Sequence, residues 1–123
     1  MAEDNDLNAE IATFLLQKMG FIVERVEDGV QCVDKLVKQP AGSYDLILMD
    51  IQMPNMDGYK ATQVIRRFED KAKANIPIIA MTANAFDEDK RNAFKAGMNA
   101  HIAKPINVAE VEQTLCAILQ AKA

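Results

Sequence analysis

The sequence predicts an α/β fold in which a parallel sheet carries helices on both faces. Three observations lead there. Short β-branched or continuously apolar runs alternate with segments of helical periodicity along the whole chain. The central runs lack polar alternation, as in strands buried on both sides. Polar residues able to do chemistry stand where those runs end, which is where open parallel sheets bind ligands.

Taken in order, Leu7, Ile11, Phe14, Leu15 and Met19 recur at helical spacing, and Gly20 follows where a left-handed cap ends a helix. A first helix is expected from about Leu7 to Met19. Phe21 to Val26 is short and β-branched and reads as a strand, and Val30, Val33, Leu36 and Val37 return to helical spacing before Pro40. Asp45-Leu46-Ile47-Leu48-Met49-Asp50 is an apolar run between two acids, expected to be a buried strand that stops at Asp50. Pro54, Asn55, Asp57 and Gly58 are loop chemistry, after which Ala61, Val64, Ile65 and Phe68 mark a third helix. Pro77 to Met81 is a further strand, followed by a helix from about Asp87 to Ala96. A short strand around Ala100 to Ile102, a Lys104-Pro105 step and a helix carrying Val108, Val111, Leu115 and Ile118 complete the alternation. A single domain over residues 1–123 is expected, with no linker or repeat.

A net charge of −4 argues against broad electrostatic binding to nucleic acid, which needs clustered Lys and Arg. No apolar run approaches the length of a membrane span, and the acidic start lacks the pattern of a secretory signal. Cys32 and Cys116 lie on apolar faces of predicted helices without CxxC spacing, and both are read as small buried hydrophobes, consistent with a reducing cytoplasm.

The strand ends bring forward Asp50, Thr82, Lys104 and the Glu3-Asp4 pair before the first helix. Taken singly, Asp4 or Asp6 is a helix cap, Asp50 a turn residue, Thr82 a cap and Lys104 a solvated lysine. Together they fit phosphoryl transfer to Asp50. Clustered carboxylates repel by several kcal/mol unless compensated, on the order of 4 kcal/mol per pair at about 4 Å and an effective dielectric near 20. Mg²⁺ with oxygen ligands supplies that compensation, a carboxylate can accept a phosphoryl group, and an ammonium and a hydroxyl can hold its oxygens.

These residues sit in motifs that together resemble the receiver domains of response regulators: Glu3-Asp4-Asn5, Asp45 to Pro54, Met56-Asp57-Gly58, Met81-Thr82-Ala83 and Lys104-Pro105, in order over nearly the whole chain. The wording around Asp6-Leu7-Asn8, Met49 to Pro54 and Ala80 to Ala85 is most similar to receivers carried by hybrid histidine kinases. The resemblance implies a flavodoxin-like, five-stranded (βα)5 pattern with five helices, and a cytoplasmic signalling domain rather than an enzyme. It implies a histidine kinase or histidine phosphotransfer protein as phosphoryl donor, with no contact to nucleic acid or membrane. Asp50 is the implied phosphoacceptor. Asp4, Asp50 and the backbone carbonyl of Gln52 would hold Mg²⁺, with Glu3 acting through water. Thr82 and Lys104 contact the phosphoryl group, Gln52 and Asn84 modulate its lifetime, and the Lys104–Pro105 peptide is cis. The face made by the last two helices and the strand of His101 reads out the state.

Two departures stand out. His101 replaces the Tyr or Phe that many members carry as a switch, and is either an edge-strand histidine or a rotameric or pH-sensitive switch. Only Met1 and Ala2 precede Glu3, so most or all of the first strand is missing. A shortened start, a truncation and a start at an internal methionine are equally compatible with that, and a rearranged assembly, homo-oligomer or strand-exchanged dimer is expected in consequence. The alternatives are a receiver-fold interaction module with an impaired site and a hydrolase of haloacid dehalogenase type. The latter needs a second Asp two residues after the nucleophile, where this chain has Gln52.

Overall fold

The computed structural model describes the chain apart from residues 41, 52, 54, 83–86, 104–106 and 123 and the side chains of 87–90 and 119–122. In order come α1 (Asp6–Lys18), α2 (Gly29–Lys38), β1 (Ile47–Asp50), α3 (Gly58–Arg66), α4 (Lys71–Ala74), β2 (Ile78–Thr82), α5 (Asp87–Ala96), β3 (Ala100–Ala103) and α6 (Val108–Lys122). The strands form a parallel sheet of order β1-β2-β3, with Asp50 opposite Met81 and Thr82 opposite Ala103.

Side-chain alternation along the strands divides the interior into two layers. Ile47, Met49, Ile78 and Ala80 pack with Cys32 and Leu36 of α2, Ala61 and Ile65 of α3 and Ala93 of α5. Leu48, Ile79, Met81 and Ile102 pack with Leu16 of α1 and Val111 and Leu115 of α6. Both faces of the sheet are therefore covered, which explains the unbroken apolar wording of β1 and β2.

The line of the expected first strand is held by Met1–Glu3. Ala2, fully buried, forms isolated parallel bridges to Val26 on one side and Met49 on the other. Its N–H donates to Leu48 O (2.8 Å) and its carbonyl accepts from Asp50 N–H (3.0 Å). Val26 N–H donates to Met1 O (2.9 Å), and Glu3 N–H to Val26 O (3.1 Å). The order expected for a receiver is thus kept, with Ala2 as a two-sided bridge at its centre. The strand expected over Phe21 to Val26 is a correction, because only Val26 enters a bridge. The described bonds between this segment and Met1–Glu3 reach only from Val26 to Glu24, whose carbonyl accepts from the Met1 nitrogen, and Phe21 to Arg25 enter no bridge.

Three other features were not among the expectations. The buried residues of α1 are Ala9, Ala12 and Leu16, while Leu7, Ile11 and Phe14 are about half exposed or more. The small side chains let the helix lie close to the sheet and turn the larger ones outward. Cys32 is buried, and that burial pushes its thiol up to about 11. Cys116 is exposed, because α6 turns Val111 and Leu115 inward and the next residue is rotated by about 100°. The one-turn α4, capped by Asp70 onto Ala72 N–H (3.0 Å), has no counterpart among the expected elements. Gly20 does take the left-handed conformation expected of it, with φ +95°. Among the described residues no helix is long and apolar enough to cross a membrane.

Candidate functional site

The acidic cluster forms where two distant pieces of chain meet at the carboxyl end of β1. Ala2 fixes the meeting, since its two hydrogen bonds to β1 place Glu3 and Asp4 beside Asp50. One carboxylate oxygen from each of Glu3, Asp4 and Asp50 lies within 4.8 Å of the others. Glu3 and Asp50 are buried, at 2% and 5% exposure, and Asp4 is exposed. Two unit charges 4.8 Å apart repel by about 3–4 kcal/mol at an effective dielectric near 20. Three hard oxygen donors at such a separation suit a small divalent cation, and Mg²⁺ in particular, which takes few carboxylates and completes its shell with water and phosphoryl oxygens.

Neither acid of the pair is used as the helix cap. That role falls to Asn5, whose side chain accepts from Asn8 N–H at 3.0 Å. Asp6 instead pairs with Arg25 Nη1 at 2.9 Å. The same guanidinium donates through Nε and Nη2 to the Glu3 carbonyl, at 3.0 and 2.8 Å. Arg25 thus clamps the backbone from which the acids project, a role the sequence reading missed. No local spacing links residues 3 and 25, so only the tertiary contact reveals it.

On the other side, the loop after β1 is tied down at Gly58. Gly58 N–H donates to Ile51 O (2.9 Å), and the Thr62 hydroxyl donates to Gly58 O (2.8 Å). A Cβ on Gly58 would stand 2.3 Å from Asp50 O and 3.0 Å from Ile51 Cα, so the close approach itself demands glycine. Farther along the loop, Asn55 adopts φ 65° and donates its amide to Asp28 Oδ2 at 2.8 Å. Asp28 also caps α2 by accepting from Gln31 N–H (2.9 Å), and these bonds, Gln31 first, hold its carboxyl below the usual value. The Asp28-x-x-Gln31 spacing resembles a capping box and was the available signal.

Thr82, 7% exposed, ends β2 one register step beyond the partner of Asp50. Its own partner Ala103 precedes Lys104 in the chain, so the backbone brings the β3 end toward the same edge. Lys104, Pro105 and the peptide between them lie outside the described residues, as do Gln52 and Asn84. His101 is half-buried on β3, opposite Ala80, two residues before the partner of Thr82. β3 is the outermost strand of the sheet.

Comparison with known proteins matches this arrangement. The model of the response regulator receiver domain covers residues 1–116. Hybrid signal transduction histidine kinase L of Dictyostelium discoideum is 40% identical over 116 residues, covering 94% of this chain and 7% of that protein. Sensor protein GacS of Pseudomonas syringae pv. syringae is 37% identical over 114 residues, covering 92% of this chain and 12% of that protein. The chain therefore spans a small fraction of the length of these kinases. Among solved structures, the receiver domain of sensor histidine kinase PA1611 from Pseudomonas aeruginosa PAO1, with a magnesium ion in its active-site cleft, is 42% identical. It superposes with a TM-score of 0.81 over 93% of this chain and 89% of that one. The co-crystal structure of the Saccharomyces cerevisiae histidine phosphotransfer signaling protein Ypd1 and the receiver domain of its downstream response regulator Ssk1 matches at 30% identity. Its TM-score is 0.81, covering 92% of this chain and 81% of that one. By this family match and these relatives, the chain belongs to the response regulator receiver domain family.

Proposed function

We propose that Asp50 is the phosphoacceptor of a two-component phosphorelay and that its reaction uses Mg²⁺. The observation that carries this reading is the convergence of Glu3, Asp4 and Asp50 within 4.8 Å of one another at the end of β1. A phosphohistidine on a histidine kinase or histidine phosphotransfer protein is the donor. An Asp50 carboxylate oxygen attacks phosphorus in line with the P–N bond, that bond breaks with its electron pair retained by the imidazole nitrogen, and an aspartyl phosphate results. Asp4, Asp50 and the Gln52 carbonyl would hold Mg²⁺, with Glu3 acting through water, and the ion would supply neutralisation of charge on the carboxylates and the phosphoryl oxygens.

The Thr82 hydroxyl donates a hydrogen bond to one phosphoryl oxygen, and the Lys104 ammonium pairs with another. Those contacts exist only in the phosphorylated state, so they supply the differential free energy that shifts the conformational equilibrium. The shift is read through α5, α6 and the strand bearing His101. The protein is then a cytoplasmic signalling domain with self-phosphorylation and dephosphorylation as its only chemistry. Leu7, Ile11 and Phe14, exposed along one side of α1 close to the acidic cluster, support docking of the donor beside the site.

The test is incubation with acetyl phosphate and Mg²⁺, followed by intact mass and peptide mapping. A single phosphoryl group on Asp50, lost in Asp50→Asn, is expected. Label on another residue, or sustained release of phosphate from a generic phosphate ester, overturns the assignment.

A further inference from the structure

The acidic cluster has two sides, the Glu3-Asp4 pair and the loop that follows Asp50, and one short segment of chain touches both. Glu3 N–H donates to Val26 O (3.1 Å), which sets Val26 beside the acid pair. Two residues on, Asp28 and Gly29 meet the tip of the loop. The Asn55 amide donates to Asp28 Oδ2 (2.8 Å), and Gly29 N–H donates to Met56 O (3.1 Å). The approach is close, since a Cβ on Gly29 would stand 2.5 Å from Met56 O. The base of the same loop is closed by Gly58 N–H on Ile51 O.

This segment is a firm support for a loop that needs one. Cys32 and Leu36 seat α2 in the core with Ala61 and Ile65 of α3. Asp28 is buried, and its second oxygen accepts from Gln31 N–H (2.9 Å), so one carboxylate joins the helix cap to the loop. Asn55, by contrast, is exposed and left-handed, with φ 65°. L residues reach that conformation at a cost, which asparagine tolerates better than most. An exposed residue gains little from packing, so the charge-assisted bond to Asp28 is what favours this turn.

We propose that Asp28 is a positioning residue for Mg²⁺: through Asn55 it fixes the loop after Asp50 relative to the Glu3-Asp4 pair. The proposal rests on the reading of Asp50 as a Mg²⁺-dependent phosphoacceptor, in which this loop supplies the Gln52 carbonyl as a ligand. Asp28 is not one of the three clustered acids and acts through the placement of backbone. Mg²⁺ demands near-octahedral geometry at short distances, so a loop free to shift weakens its binding. Groups that orient metal ligands in this way are worth about 10- to 100-fold in affinity.

Two variants remove the bond and spare the rest. Asp28→Ser keeps a hydroxyl able to cap α2 but too short to reach Asn55 as well. Asn55→Gly keeps the left-handed turn and loses the amide. Each should bind Mg²⁺, titrated alone and followed by amide shifts, about tenfold more weakly. Labelling of Asp50 by acetyl phosphate should slow to match at low Mg²⁺, with the deficit narrowing as Mg²⁺ approaches saturation. In metal-free protein, amide exchange at Gly29 should quicken, because its acceptor Met56 O belongs to the loop. The double variant Asp28→Asn, Asn55→Asp exchanges donor and acceptor without changing net charge, and should recover most of the lost affinity. Asn55→Asp alone sets two carboxylates against each other and should stay as weak as Asn55→Gly. If Asp28→Ser does not fold, the other three variants decide. A parent that binds no Mg²⁺, or takes its label elsewhere than on Asp50, overturns the phosphoacceptor reading and this proposal with it. A parent that does both, with Asp28→Ser and Asn55→Gly at unchanged affinity, overturns the positioning role alone. So does full recovery by Asn55→Asp alone, since added charge then explains the effect.

Discussion

Gly58→Ala tests whether the geometry behind Asp50 matters to its chemistry. The added Cβ would lie 2.3 Å from Asp50 O, whereas real Cβ contacts essentially never fall below 3.0 Å, so at least 0.7 Å of movement is required (3.0 − 2.3). The contact under 3.0 Å is to a backbone atom, Asp50 O, with Ile51 Cα and the Met49 side-chain Cγ both at 3.0 Å, so moving a side chain does not relieve it. Overpacking of this kind costs about 1–3 kcal/mol, partly offset by the ~1 kcal/mol that alanine gains over glycine in a helix. A net loss of up to about 2 kcal/mol corresponds to a Tm lowered by up to roughly 8 °C in a chain of this size. The chemical effect should be larger. In-line transfer tolerates little displacement, and a misplacement near 1 Å can cost on the order of 10²-fold in rate. Labelling of Asp50 by acetyl phosphate, followed by mass at fixed Mg²⁺, is therefore expected to slow about 10- to 100-fold. Gly20→Ala is the control: its φ of +95° makes alanine strained, but nothing lies within 4 Å. It should cost stability, about 1–2 kcal/mol, without slowing labelling. A Gly58→Ala protein with the parent's Tm and labelling rate would refute the reasoning.

Arg25→Met removes both guanidinium bonds to Glu3 O and the pairing with Asp6; Mg²⁺ affinity followed by amide shifts should fall about tenfold, as for other groups that orient metal ligands, and unchanged affinity would remove Arg25 from the site. Arg66 donates to the carbonyls of Gly97, Ala74 and Ile76 and to Asn99 Oδ1, joining α3 to the chain after α4 and α5. Arg66→Met should therefore cost about 2–4 kcal/mol in urea unfolding, and a loss below 0.5 kcal/mol would show those bonds to be redundant. Asp28 carries a carboxyl held below its usual value of 3.8 by Gln31 N–H and the Asn55 amide. A depressed folded-state pKa stabilises the protein above the unfolded pKa and loses that contribution as pH falls through the folded value. Asp28→Asn should accordingly lose less stability than the parent between pH 5 and pH 2, the region of carboxylate titration, and identical pH profiles would count against the assignment.

How much of this was legible beforehand depends on whether the signal was local. Gly20 announced its left-handed cap, and the unbroken apolar wording of Ile47–Met49 and Ile78–Met81 announced strands covered on both faces, because burial on two sides leaves no place for a polar residue. Asp50, Thr82 and the Glu3-Asp4 pair were found at strand ends because parallel sheets put their chemistry there. The structure brings the three acids together and sets Thr82 one register step away. The outward turn of Leu7, Ile11 and Phe14 was not legible, since periodicity shows that a helix has an apolar stripe but not which residues its neighbours leave room for. The same limit misplaced Cys116.

The sequence by itself determined the alternation of elements, the parallel architecture and the residue types of the site, since each follows from local periodicity or from where a buried strand stops. Only the tertiary structure decided that Ala2 holds Glu3 and Asp4 against β1, that Arg25 clamps the carbonyl of Glu3, that Gly58 must be glycine because of Asp50 O, and that Phe21 to Arg25 enter no bridge. Each of those depends on a partner more than twenty residues away or on the approach of two backbones. A strand, in particular, exists only where another strand bonds to it, so the β-branched Ile22 and Val23 can carry a local preference for pairing and still enter no bridge among the described residues.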